Sequence, residues 1–85
     1  MYALIGDIGN TITKICLVNS KTFQINKIIY FNSSKIISNY HLQKNLGKIL
    51  KNKFILKISL FSSVVPKYYF IMKRFLKKKL QNKIK

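Results

Sequence analysis

Asp7-Ile8-Gly9-Asn10-Thr11-Ile12-Thr13-Lys14 decides how this chain begins to fold. An apolar run, Tyr2-Ala3-Leu4-Ile5, leads into it through Gly6, and a second run, Ile12 to Val18, starts inside it. Gly and Asn between two β-branched, apolar segments mark a chain reversal, so the stretch reads as strand, tight turn, strand. The first strand is expected to end at Gly6-Asp7, which puts Asp7 in the turn. Asp7 is also the one carboxylate side chain in 85 residues, set against 17 Lys and Arg and a formal net charge of +16.

The same eight residues hold what a phosphate site requires. Such a site uses N–H donors from a tight turn, a hydroxyl or amide for orientation, a cation, and an acid for Mg²⁺ or its water shell. Gly9 allows close backbone approach and positive φ. Asn10 tolerates a left-handed conformation and offers amide donors. Thr11 offers a hydroxyl, Lys14 a point charge, and Asp7 the acid. Charge-assisted contacts of this kind contribute about 1.5–3 kcal/mol each. The bland alternative is a hairpin in which Asp and Asn only form the turn.

Composition narrows the field. One small domain, or part of a larger one, is the most that 85 residues hold. An apolar fraction of 48% supports a packed core rather than disorder. The single cysteine, Cys16, excludes an internal disulfide and a cysteine-based zinc site, and it reads as a small core residue in a reducing compartment. Phe54 to Met72 is the longest apolar candidate for a membrane span, and Lys57, Pro66 and Lys67 interrupt it. No basic stretch precedes the first apolar run, so the expectation is a cytoplasmic protein without a membrane partner. The positive charge suits a polyanion. However, Ile, Lys and Asn make up 38 residues and Arg occurs once, a bias that AT-rich coding produces whatever the function. Nucleic-acid surfaces favour Arg for bidentate contacts, so nucleic-acid binding is the weaker reading.

Beyond the first two strands, Asn19-Ser20-Lys21 is a polar turn and Thr22 to Phe31 reads as a third strand, giving an antiparallel meander. Leu42, Leu46, Ile49 and Leu50 fall on one helical face, with Ser38 as N-cap and Gly47 as a cost of about 1 kcal/mol inside the helix. His41 reads as a surface or boundary residue of this helix. Phe54 to Val65 reads as a buried strand. Pro66 suits the first turn of a second helix, Lys67 to Leu80, whose Tyr69, Met72, Phe75 or Leu76, and Leu80 form an apolar stripe. Lys73, Arg74, Lys77 and Lys78 lie off that stripe, as a solvated basic face or a surface for membrane or phosphate. Residues 81–85 read as a frayed end. The expected order is β-β-β-α-β-α in an α/β domain with a mixed sheet, the last strand pairing parallel after its helical crossover.

Asp7-x-Gly9-Asn10-Thr11 at the N-terminus resembles the first phosphate motif of the acetate-and-sugar-kinase, actin-like superfamily. Asn between Gly and Thr narrows the resemblance to the type III pantothenate kinases, which also carry a strand ending in S-S-V-V-P some fifty residues on. Here that second motif is Ser62-Ser63-Val64-Val65-Pro66. The resemblance implies an incomplete ribonuclease H-like (actin-like ATPase) domain, residues 1–85 being the N-terminal portion and the second half absent. It implies a kinase that phosphorylates pantothenate with ATP and Mg²⁺ at the entry to coenzyme A synthesis. By resemblance, Asp7 orients Mg²⁺, directly or through water, and the hairpin residues Ile8, Gly9, Asn10, Thr11, Ile12, Thr13 and Lys14 form the ATP-phosphate site. A monovalent cation (K⁺ or NH₄⁺) and a homodimer belong to the full-length family, the cation site and much of the dimer interface being expected outside this chain. Ser62 to Pro66 is expected to be mainly structural, with no ligand contact.

Three departures qualify the match. Gly6 stands where the family favours a bulky apolar residue, which is expected to leave the strand looser. Lys14 matches part of the family only. The G-x-D-R motif that brings the catalytic base is absent, and one carboxylate cannot both hold metal and deprotonate a hydroxyl. No catalytic base is therefore assigned within the chain, and alone it is expected to be inactive. The alternatives are a non-catalytic nucleotide- or phosphate-binding module and, behind it, a basic RNA- or membrane-surface-binding protein.

Overall fold

Alternation of apolar and polar residues in the first third of the chain builds one sheet with a covered and an open face. In a computed structural model, which describes residues 1–51, 58–80 and 83–84, β1 (Tyr2–Ile8), β2 (Ile12–Asn19) and β3 (Ile25–Asn32) form an antiparallel meander. A short 3-10 helix (Ser33–Ile37) leads into α1 (Asn39–Leu50), followed by β4 (Ile58–Ser63), α2 (Pro66–Leu80) and the two-residue β5 (Lys83–Ile84). The sheet order is β3-β2-β1-β4-β5. β4 runs parallel to β1, as a strand reached through a helical crossover should. The domain is α/β with a mixed sheet.

Local rules explain the helix boundaries. The Ser38 side chain accepts from the His41 N–H at the start of α1, and Leu42, Leu46 and Ile49 are its buried face. Asn32 caps the preceding 3-10 helix by accepting from the Ser34 N–H. Pro66 opens α2, where its missing N–H is no loss. Leu4 and Ile8 of β1, Ile15 and Leu17 of β2, Phe31 of β3 and Phe61 of β4 join the helical residues Leu42, Leu46, Ile49, Met72, Phe75 and Leu76 in one core.

Several boundaries differ from expectation. β1 does not stop at Gly6 but runs to Ile8, because it is paired on both sides there, to β2 and to β4. Gly6 leaves no gap: a Cβ at this position would lie 2.1 Å from the Phe61 ring, so the aromatic ring occupies the space that a larger residue would fill. β3 starts at Ile25 rather than Thr22. The Asn19 side chain accepts from the N–H groups of Lys21 and Thr22, and Phe23 takes φ 60°, which holds the preceding residues in a turn. Residues 54–57 of the strand expected over Phe54 to Val65 lie outside the described residues. Lys83–Ile84, expected to be frayed, instead extends the sheet by pairing parallel with β4 at Ile58 and Ser59.

Candidate functional site

Register places the chain's one carboxylate in a polar row across three strands. Asp7 of β1 is paired with Lys14 of β2 on one side and Ser62 of β4 on the other. Side chains directly opposite each other in a sheet share a face with Cβ atoms about 4.5–5.5 Å apart in antiparallel pairs, so Lys14 and Asp7 attract. All three residues are exposed, on the face opposite the helices. The Ser62 hydroxyl donates to Asp7 Oδ1 at 2.9 Å. Asp7 therefore sits in a strand, not in the turn, and is held from the side by β4.

The turn itself is tied down from behind. Gly9 N–H donates to the Ile12 carbonyl at 3.1 Å, leaving Asn10 and Thr11 as the two linking residues. Ser33, fully buried at the start of the 3-10 helix, donates its N–H to the Thr11 carbonyl and its hydroxyl to the Gly9 carbonyl, both at 2.7 Å. Because that hydroxyl spends its one proton on Gly9, the 2.7 Å contact between Ser33 Oγ and Thr13 Oγ1 has Thr13 as donor. The Gly9 and Thr11 carbonyls thus face the protein. The N–H groups of Asn10 and Thr11 have no acceptor among the described residues, and both residues are exposed.

This geometry sorts the eight hairpin residues. Asp7, Asn10, Thr11, Ile12 and Lys14 are exposed and Gly9 is half-exposed. Ile8 and Thr13 are fully buried on the helix side, so neither side chain can reach a ligand at the open face. The Ile8 side chain is taken up by core packing and that of Thr13 by the Ser33 hydrogen bond. Gly9 is not at positive φ. A Cβ there would lie 2.9 Å from the Ile12 carbonyl oxygen, so close approach within the hairpin is what requires glycine.

The S-S-V-V-P stretch is tied to the same site residue by residue. Ser62 holds Asp7, while the Val64 N–H donates to the Ile8 carbonyl at 3.1 Å and so extends the parallel pairing past β4. Ser63 Oγ accepts from the Val65 N–H and donates to the Val65 carbonyl, shaping the bend before Pro66. The Val65 carbonyl then accepts the Tyr69 N–H in the first turn of α2. Sequence reading missed Ser33 and Ser62 as partners of the hairpin; for Ser62, the recurrence of its motif was the available signal.

Donor chemistry fits Mg²⁺ in a limited way. That ion keeps several waters and takes one or two carboxylates along with substrate phosphates. Asp7 is one exposed carboxylate, and its Oδ2 has no hydrogen bond among the described residues. No group of three His, Cys, Asp or Glu side chains forms a cage among the described residues. His41, half-buried in the first turn of α1 with its ring edge-on to Tyr40, has no described partner for Nδ1. Cys16 is a buried free thiol. No described helix is long and apolar enough to cross a membrane.

No family model matches the chain. Among curated proteins, a type III pantothenate kinase of Pelagibacter ubique (strain HTCC1062) is 53% identical over 76 residues, which cover 88% of this chain. The chain spans only 29% of that relative's length. Over the matched residues this chain is therefore a homologue of the N-terminal part of a type III pantothenate kinase.

Proposed function

We propose that the chain carries the ATP-phosphate hairpin of a type III pantothenate kinase and serves the ATP-dependent phosphorylation of pantothenate. The observation that carries this reading is the two-sided turn: carbonyls of Gly9 and Thr11 bound to Ser33, N–H groups of Asn10 and Thr11 left to the outside. Unpaired N–H groups at a tight turn are donors for phosphate oxygens. Lys14 adds positive charge on the face shared with Asp7, and the Thr11 hydroxyl adds a further donor. When bound with the nucleotide, Mg²⁺ neutralises charge that develops on the transferring phosphate, and Asp7 is the residue that would hold it. The sheet is read as the first part of a ribonuclease H-like, actin-like domain.

Proton removal from the substrate hydroxyl falls to a group outside residues 1–85. Asp7 is committed to the metal, and the chain has no other Asp or Glu. The pantothenate contacts, the monovalent-cation site and much of the homodimer interface of the full-length family are read as lying outside these 85 residues. That same shortage of carboxylates favours a second reading, in which the chain binds nucleotide phosphates without turning them over.

Calorimetric titration of the purified chain with Mg-ATP tests the shared part of both readings. Binding is expected, and Asp7→Ala and Thr11→Ala should each weaken it by about tenfold or more, the equivalent of a charge-assisted contact. Binding that ignores both substitutions but collapses with added salt would assign the anion affinity to the general positive charge instead.

A further inference from the structure

The Ser62-Ser63-Val64-Val65-Pro66 motif holds a residue whose chemistry goes beyond shaping a strand end. Ser62 lies 55 positions from Asp7 in the chain, yet register brings the two side by side on the open face. Its hydroxyl donates to Oδ1 at 2.9 Å. An exposed Asp side chain otherwise samples several staggered rotamers. A hydrogen bond from a neighbouring strand selects one of them and occupies one oxygen, leaving Oδ2 without a partner among the described residues. Both ends of the bond are fixed by backbone pairing: Asp7 is paired to Lys14 and Ser62, and beyond Ser62 the Val64 N–H is bound to the Ile8 carbonyl.

We propose that Ser62 is the positioning residue for Asp7, holding Oδ1 so that the carboxylate presents its other oxygen to the Mg²⁺ that accompanies ATP. This rests on the phosphate-hairpin reading of the preceding section. Ser62 acts through Asp7 and touches neither phosphate nor metal. Residues that orient a metal ligand in this way alter metal affinity by about 10- to 100-fold when removed. Ser63, engaged with Val65, has no such role.

The test is titration of the purified chain and its Ser62→Ala and Ser62→Thr variants with ATP, once with Mg²⁺ and once with the metal chelated. Thermal unfolding accompanies each titration. Ser62→Ala is expected to weaken Mg-ATP binding by about tenfold or more while leaving metal-free ATP binding and the unfolding midpoint unchanged. Ser62→Thr keeps the hydroxyl on a strand-compatible side chain and should bind Mg-ATP like the parent. Three outcomes overturn the role of Ser62 alone: an unchanged Ser62→Ala, equal loss with and without metal, or a Thr variant as weak as the Ala variant. A parent chain that binds no Mg-ATP overturns the phosphate-hairpin reading itself, and the proposed role of Ser62 falls with it.

Discussion

Two faces of one sheet are built from alternate residues of the same strands, and they have different occupations. On the helix side, Leu4 and Ile8 of β1 and Ile15 of β2 are completely buried. On the other side Ile5, Ile12, Ile28 and Leu60 remain 38%, 51%, 39% and 53% exposed, around the polar row of Lys14, Asp7 and Ser62. One step along β1, from Ile8 to Asp7, crosses from core to site. The helix side holds the fold together, and the open side has side chains free for a ligand. The hairpin turn joins the two, since Ser33 on the buried side fixes the Gly9 and Thr11 carbonyls of a turn whose Asn10 and Thr11 N–H groups have no acceptor among the described residues.

That contrast can be broken by substitution. The largest effect is expected from Ile8→Ala, which removes a fully buried side chain and should cost about 2–5 kcal/mol, whereas Ile12→Ala, four residues on and half exposed, should cost less than about 1 kcal/mol. Denaturant unfolding of the two variants measures the difference, and equal losses would show that the open face is no freer than the core. Ser33→Ala comes next. It strips the Gly9 carbonyl and the Thr13 hydroxyl of a buried partner, at about 1–3 kcal/mol, and should weaken Mg-ATP binding although Ser33 cannot touch the ligand. A Ser33→Ala chain that is destabilised but binds Mg-ATP as before would detach the clamp from the site. Smallest, and opposite in sign, is Gly47→Ala in α1. A Cβ there meets nothing within 4 Å, so the variant should gain about 0.5–1 kcal/mol and leave ligand binding alone.

Much of the scaffold was legible because its causes are local. The chain reversal at Gly9-Asn10 (though neither residue takes positive φ), the cap at Ser38, the spacing of Leu42, Leu46 and Ile49, and Pro66 ahead of an apolar stripe each act within a few residues. The departures have causes that are distant in sequence. Gly6 looked like a loosened strand until Phe61, from β4, was found against it. Thr13 was counted among the hairpin residues of the phosphate site, but its place in the alternation puts its side chain on the helix side with Ser33, twenty residues away. Asp7 was expected in the turn, and pairing with a strand 55 residues on draws it into the sheet. Alternation counted from Leu4 would have put Asp7 outward and Ile8 inward. It could not have named Ser62 as the partner, because the register between β1 and β4 is set by tertiary packing.

The central claim is that the outward N–H groups of the turn receive phosphate. Amide NMR of the chain titrated with Mg-ATP reads those groups directly. The account predicts that the Asn10 and Thr11 amide signals move most and saturate together, with Gly9 and Lys14 following and the amides of α2 unmoved. Shifts confined to the basic residues of α2, with Asn10 and Thr11 unchanged, would contradict it.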